Sequence, residues 1–453
     1  MRTLVRGGTV VALNGELPTK AGTPSNVYVD GELEIEHGRI VYVGPRRPDT
    51  PGGSPCRVVD ARGCAVIPGF VQAHVHLCQV LLRGLGDDLP LLEWLKERIW
   101  PLEAAHTPES LRASAELGLL EMSLAGTTTL LDMGTVHHHD AVFEAAKVSD
   151  LCVFSGKAMM DVGDDVPAGL RETTEQSLAE SDALCARWDK QENGRLRYAY
   201  APRFILSCSE PMWRAVAERL ANGAMVHTHV AEHPGEREAV FEQLGMTDFD
   251  AMRSYGILGP RAILAHGVQL TPREIATVAK DGSRIVHCPS ANLKLGSGIA
   301  PIWEYWQAGV QLALGADGAP CNNNLDPWME MRHAALLAKV RTGPTTLPAE
   351  AALRLATIEG AKALGLGHET GSLEVGKRAD CVVVRVDGPH VEPGGDIFSR
   401  LAYAVTARDV RHVFAAGEAV VWNGESTRFD TAQVVATARE QVKDLLERAG
   451  ISA

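Results

Sequence analysis

Between about residues 65 and 365 the chain repeats one pattern, a short apolar run followed by a longer stretch of helical periodicity. Eight such runs stand out: CAVIPGFVQAHVHL, TTTLLDMG, CVFSGKAMMD, RLRYAYAPRF, AMVHTHVAE, AILAHGV, RIVHCP and VQLALGADGA. Helical stretches such as PESLRASAELGLLEMSLA lie between them. Near-continuous apolar strands alternating with helices indicate a parallel sheet covered on both faces. Eight units over about 300 residues fit a closed (β/α)8 barrel, the TIM-barrel form of the α/β class. The flanks have another texture. Residues 1–64 alternate apolar and polar positions, with DG and HG as turn signals in NVYVDGELEIEHGRIVYVG. The same texture returns in GSLEVGKRADCVVVRVDG and VRHVFAAGEAVVWNGE, before a last helix, TAQVVATAREQVKDLLERA. The expected organisation is a barrel over residues 65–365 and a small composite β-sandwich built from 1–64 and 366–453.

A formal charge of −13 argues against nucleic acid or an anionic membrane as partner. No apolar run approaches the roughly 18 residues that a membrane span needs. Nine cysteines without CxxC pairs suit a reducing compartment better than a disulfide framework. The segment MRTLVRGGTVVALNGE lacks the apolar core of a signal peptide and reads as a strand. The expectation is a cytoplasmic protein acting on a small molecule.

The polar residues fall in a telling place. His74 and His76 end the first strand, His227, His229 and Glu232 the fifth, His266 the sixth and Asp317 the eighth. The C-terminal strand ends of such a barrel form its active-site face. Alternate residues of a strand share a side, so both rings of HVH can meet one ion. A lone histidine at a strand end is usually an ordinary hydrogen-bonded residue. That reading would have to hold at several strand ends at once, whereas His and carboxylate groups in one concave site match a catalytic Zn²⁺ or Fe²⁺. Of the second His-x-His pair only the outer member is near the mouth, so His229 is the expected ligand and His227 structural. His137, His138 and His139 cannot all face one ion from an extended chain, and a solvated or supporting role is expected for them.

PGFVQAHVH, HTHVAE, AHG and LGADGAP, with GSLEVGKRADCVVV after the barrel, resemble the amidohydrolase superfamily, most of all its metal-dependent aminopurine and aminotriazine deaminases and hydrolases. The similarity spans nearly the whole chain. It implies one divalent metal, Zn²⁺ before Fe²⁺, held by His74, His76, His229 and Asp317, with Glu232 and His266 as partners. Binuclear relatives bridge two metals with a lysine on the fourth strand. RLRYAYAPRF has none, and Lys157 lies on the third, so a single ion is expected. A homodimer or larger homo-oligomer is the expected assembly.

A divalent ion lowers the pKa of water from 15.7 toward about 7 and so supplies a nucleophile at neutral pH. Asp317 would ligate and accept the water proton, His266 would hydrogen-bond the nucleophile, and Glu232 would shuttle the proton to the ring and the leaving amine. APRFILSCSE, DLPLLEWL, GKAMMD and Gln79 resemble guanine deaminase. There Arg203 and Gln79, beside Phe204, would hold the base, since guanidinium only donates and guanine presents O6 and N7 as acceptors. SANLKLGSGIAPI and DGAPCNNNLD resemble instead deaminases of S-adenosylhomocysteine, methylthioadenosine and 5′-deoxyadenosine. Trp94 would stack the base and Glu103 would hold ribose hydroxyls. The first expectation is thus guanine deamination. A 5′-modified adenosine or a triazine is the alternative substrate, and a non-catalytic scaffold is the rival outside enzymes.

Overall fold

The computed structural model describes residues 2–15, 26–48, 56–163 and 165–452. Eight strands form the barrel: β1 (Phe70–His76), β2 (Thr127–Met133), β3 (Cys152–Gly156), β4 (Leu196–Tyr198), β5 (Val226–Val230), β6 (Ala262–His266), β7 (Arg284–His287) and β8 (Gln311–Leu314). All pairings are parallel. β1 through β4 pair in order, a bridge from Tyr200 to Val226 joins β4 to β5, and β5 through β8 continue in order. Just past β8, Asp317 pairs with Val75 of β1 and closes the ring. β1, β2 and β3 are buried at every position, as strands covered on both faces must be.

The helices between the strands begin where the sequence offers caps. Thr107, Thr173 and Thr271 each accept from the backbone three residues on and receive a side chain in return. This reciprocal box satisfies N–H groups that a helix start otherwise leaves unpaired.

The two chain ends join in one mixed nine-stranded sheet. Its seam is the antiparallel pairing of Cys64–Pro68 with Cys381–Arg385. Val5, Leu33, Ile35, Val66, Cys381 and Phe414 form a separate buried core beneath it. The first apolar run of the sequence is therefore two strands, one in each sheet. They part at Gly69, where a Cβ would lie 2.1 Å from Thr128 Oγ1. His37 and Gly38 make the expected turn, but Asp30 and Gly31 lie inside one strand, Val27–Glu36. Asp30 takes φ 48°, and the pairing with Arg2–Val11 shifts register here. DG chemistry has been used for a bulge, which needs the same left-handed residue as a turn. The final helix, Thr431–Ala449, packs against Pro108–Leu124 of the barrel. Among the described residues no helix is long and apolar enough to cross a membrane.

Candidate metal centre and active site

The strand ends converge. His74, His76, His229 and Asp317 bring one ligand atom each within 4.8 Å of the others, and Glu232, His266 and Asp317 form a second such group sharing Asp317. All six side chains are held by the C-terminal ends of β1, β5, β6 and β8. Three of the residues there carry left-handed backbones: Ala231 (φ 47°), His266 (φ 74°) and Asp317 (φ 65°). Such conformations cost on the order of 1–3 kcal/mol each and persist where the surroundings over-determine them. Here they turn each chain sharply inward at the mouth.

Hydrogen bonds fix the ring nitrogens. His76 Nδ1 lies 2.8 Å from the Met133 carbonyl, and His229 Nδ1 lies 2.7 Å from the Arg203 carbonyl. A carbonyl only accepts, so both Nδ1 atoms carry the proton. Both Nε2 atoms then present lone pairs, and they face each other at 3.3 Å. Two lone pairs in that position repel unless a cation lies between them. His74 Nε2 is buried without a hydrogen bond, although Asp317 Oδ1 stands 3.2 Å away. The donor set therefore fits a divalent metal ion: three imidazole nitrogens and a carboxylate oxygen, with one face toward the cavity. Burial opposes charge on His76, yet Asp317 outweighs it, and the pKa of His76 rises. The site attracts positive charge even as a proton. Burial and the neighbouring imidazoles push His229 well below its usual pKa, which keeps it neutral and available as a ligand.

Asp317 and Glu232 separate in character. Burial would raise Asp317, but the rings of His74 and His76 hold it ionised, well below the usual range. Burial and the negative charge of Asp317 push Glu232 well above its usual value. Two neighbouring carboxyl groups whose pKa values are pushed in opposite directions are suited to act as an acid–base pair. The Glu232 backbone N–H donates to buried Glu236 at 3.2 Å. His266 Nδ1 donates to Asn292 Oδ1 at 2.9 Å, so its Nε2 is the acceptor, 3.5 Å from Glu232 and 3.9 Å from Asp317. Neither Glu236 nor Asn292 was singled out in the sequence. Only the position of Asn292, just beyond β7 at the mouth, could have marked it.

The cavity above these groups is walled by Gln79, Leu91, Trp94, Arg203, Phe204 and Leu295. Gly318 packs against Gln79, for a Cβ there would meet Gln79 Oε1 at 2.0 Å. Glu103 lies behind the wall rather than on it. Its carboxylate takes Arg203 Nη1 at 2.5 Å, Arg203 Nη2 at 3.1 Å and Gln79 Nε2 at 2.8 Å. Trp94 and Phe204 are buried apolar faces of the same space.

His139 is buried and bonds Ser155 Oγ at 2.9 Å, while Ser155 donates to Asp132 at 2.5 Å and Asp132 accepts the Leu77 N–H at 2.7 Å. His137 is half-buried and His138 exposed. Lys157 is buried in an ion pair with Glu172 and Glu180, away from the histidine cluster.

Residues 65–420 match the family model described as Amidohydrolase family. A 5-methylthioadenosine/S-adenosylhomocysteine deaminase of Halobacterium salinarum is 39% identical, covering 94% of this chain and 96% of that one. A 5′-deoxyadenosine deaminase of Methanosarcina acetivorans is 36% identical over 93% of this chain and 94% of its own. Among solved structures, an adenosine deaminase of Xanthomonas campestris with bound zinc superposes with a TM-score of 0.90 at 33% identity, covering 98% of both chains. These relatives overturn guanine as the first expectation, because their names specify adenosine derivatives over nearly the full length. Arg203, read as a free clamp for the guanine O6/N7 edge, has both terminal nitrogens on Glu103. The histidine and aspartate cluster is a divalent-metal site, and the chain is a hydrolase of C–N bonds, a deaminase in class. It belongs to the amidohydrolase family.

Proposed function

We propose that the chain removes the exocyclic amine of a 5′-modified adenosine, of the methylthioadenosine, S-adenosylhomocysteine and 5′-deoxyadenosine class, giving the inosine derivative and ammonia. The observation that carries this reading is the near full-length similarity to deaminases of those nucleosides. In this reading one zinc ion is held by His74, His76, His229 and Asp317, in keeping with the zinc in the Xanthomonas campestris relative. When bound, it supplies Lewis acidity that lowers the pKa of water toward about 7.

The protein groups divide the rest of the work. The Asp317 carboxylate accepts the proton of the attacking water. His266, its Nδ1 tied to Asn292, offers Nε2 as an acceptor that aims the water at the amine-bearing carbon. Burial and the charge of Asp317 favour the protonated form of Glu232. Glu232 gives its proton to the ring nitrogen beside the carbon under attack, then takes the remaining proton of the added hydroxyl and passes it to the departing amine, while the proton held by Asp317 restores Glu232. Trp94 and Phe204 sandwich the purine. Gln79 and Arg203 form the polar corner for the ribose, and Glu103 fixes both from behind. Mass spectrometry of the product from 5′-deoxyadenosine tests the reading directly. An oxygen in place of the amine, with ammonia released in equal amount, supports it; unchanged nucleoside, or a free base, overturns it.

A further inference from the structure

The second His-x-His pair, His227 and His229, reads as two ligands or as a ligand and a bystander. The structure assigns His227 a third role: it positions a metal ligand by accepting the Nδ1 proton of His74. His227 Nε2 lies 2.7 Å from His74 Nδ1, and both rings are fully buried. The rings meet edge-on, at an interplanar angle of 82°. Of two imidazole nitrogens so close, one donates and the other accepts. Were His227 the donor, His74 would carry its proton on Nε2, the atom that faces Asp317 and the metal position. A protonated nitrogen cannot ligate. His74 is therefore a ligand only when its proton is on Nδ1 and His227 accepts it.

The other two imidazole ligands donate Nδ1 to backbone carbonyls, Met133 and Arg203. His74 is the exception among the three, since its Nδ1 partner is a side chain. Metal-bound histidines generally need such an outer partner to fix tautomer and ring angle, and its loss typically weakens metal binding 10–100-fold. The arrangement costs His227 a satisfied donor. Its own Nδ1 has no hydrogen-bond partner, so it holds a buried N–H to present the lone pair at Nε2.

The inference rests on the divalent-metal reading of the site, and the test separates the two. Zinc affinity is measured by chelator competition for wild type, His227→Leu and His227→Gln. Leucine removes the acceptor, whereas glutamine can set its amide oxygen near the Nε2 position. The expected result is a 10–100-fold weaker zinc complex for leucine, with glutamine returning to within about threefold of wild type. Equal affinity in the leucine variant overturns the role of His227, while failure of the wild type to bind zinc overturns the metal reading instead. Should His227→Leu not fold, ¹⁵N spectra of histidine-labelled wild type loaded with zinc decide the matter. His227 protonated on Nδ1 supports the inference, and His227 protonated on Nε2 sinks it.

Discussion

Replacing Glu103 by glutamine removes one charge from behind the wall of the site with almost no change in side-chain volume. Glu103 and Arg203 are 2% and 3% exposed, so the guanidinium has almost no water to turn to. It would keep one carbonyl acceptor and face an amide N–H where it now meets a carboxylate oxygen at 2.5 Å. Unpairing a buried charge in this way costs about 3–5 kcal/mol. Unfolding entropy near 2.1 cal/mol/K per residue makes each kcal/mol worth about 1 °C in a chain this long, so Tm should fall by about 3–5 °C. The larger effect is local. Arg203 and Gln79 lose the group that sets their positions, and misplacement by about 1 Å costs on the order of 100-fold in rate. The expected fall in kcat/KM for 5′-deoxyadenosine is therefore at least about 100-fold. Metal content should stay at the wild-type level, because His229 leans on the Arg203 backbone rather than its side chain. Scanning fluorimetry, ammonia release and metal analysis read the three effects separately. A Tm within 1 °C (less than about 1 kcal/mol on the same scale), together with turnover within threefold of wild type, would refute the idea that Glu103 holds this wall.

Other outcomes follow from the same geometry. Glu232→Gln should retain metal but lose about 10²–10⁴ in kcat, the usual worth of general acid–base catalysis; a loss below tenfold means the proton takes another path. His74→Ala, His229→Ala and Asp317→Ala should each purify with far less metal and no ammonia release, and full metal occupancy in any of them contradicts its place in the ligand set. Glu330 is buried, accepts from Ser290 and Asn322, and is raised by burial to about 7 from 4.5. A raised carboxyl stabilises the fold fully below its unfolded pKa and loses that contribution as pH climbs to the folded value. Glu330→Gln should thus remove roughly 3 kcal/mol of the stability lost between pH 4.5 and 7. Denaturant melts across that window check it, and identical slopes in the two proteins rule it out.

The barrel and the cluster at its mouth were legible because both are written locally. An apolar run followed by histidine or aspartate marks a strand and its functional end in a few residues. The branch point at Gly69 was not, since CAVIPGFVQAHVHL stays apolar while passing from one sheet to the other. Asp30 and Gly31 read as a turn because a bulge draws on the same left-handed backbone. The substrate assignment rested on short motifs that point to two branches of one family, and nothing in APRFILSCSE reveals the acid a hundred positions earlier that pairs with Arg203. The same limit hid the acceptor of His74 on the fifth strand and the tether of His266 on Asn292. Such partners are set by closure of the ring rather than by sequence spacing.

The central claim is that a nucleoside with a modified 5′ position, rather than a free base, is the substrate. The most direct measurement is kcat/KM for ammonia release from 5′-deoxyadenosine, methylthioadenosine and S-adenosylhomocysteine, side by side with adenine and guanine on zinc-loaded protein. The account predicts at least one of the three nucleosides turning over at 10⁴ M⁻¹s⁻¹ or more, roughly the lower range for a natural substrate, with both bases slower by at least about 100-fold. Guanine or adenine turning over faster than all three nucleosides would contradict it.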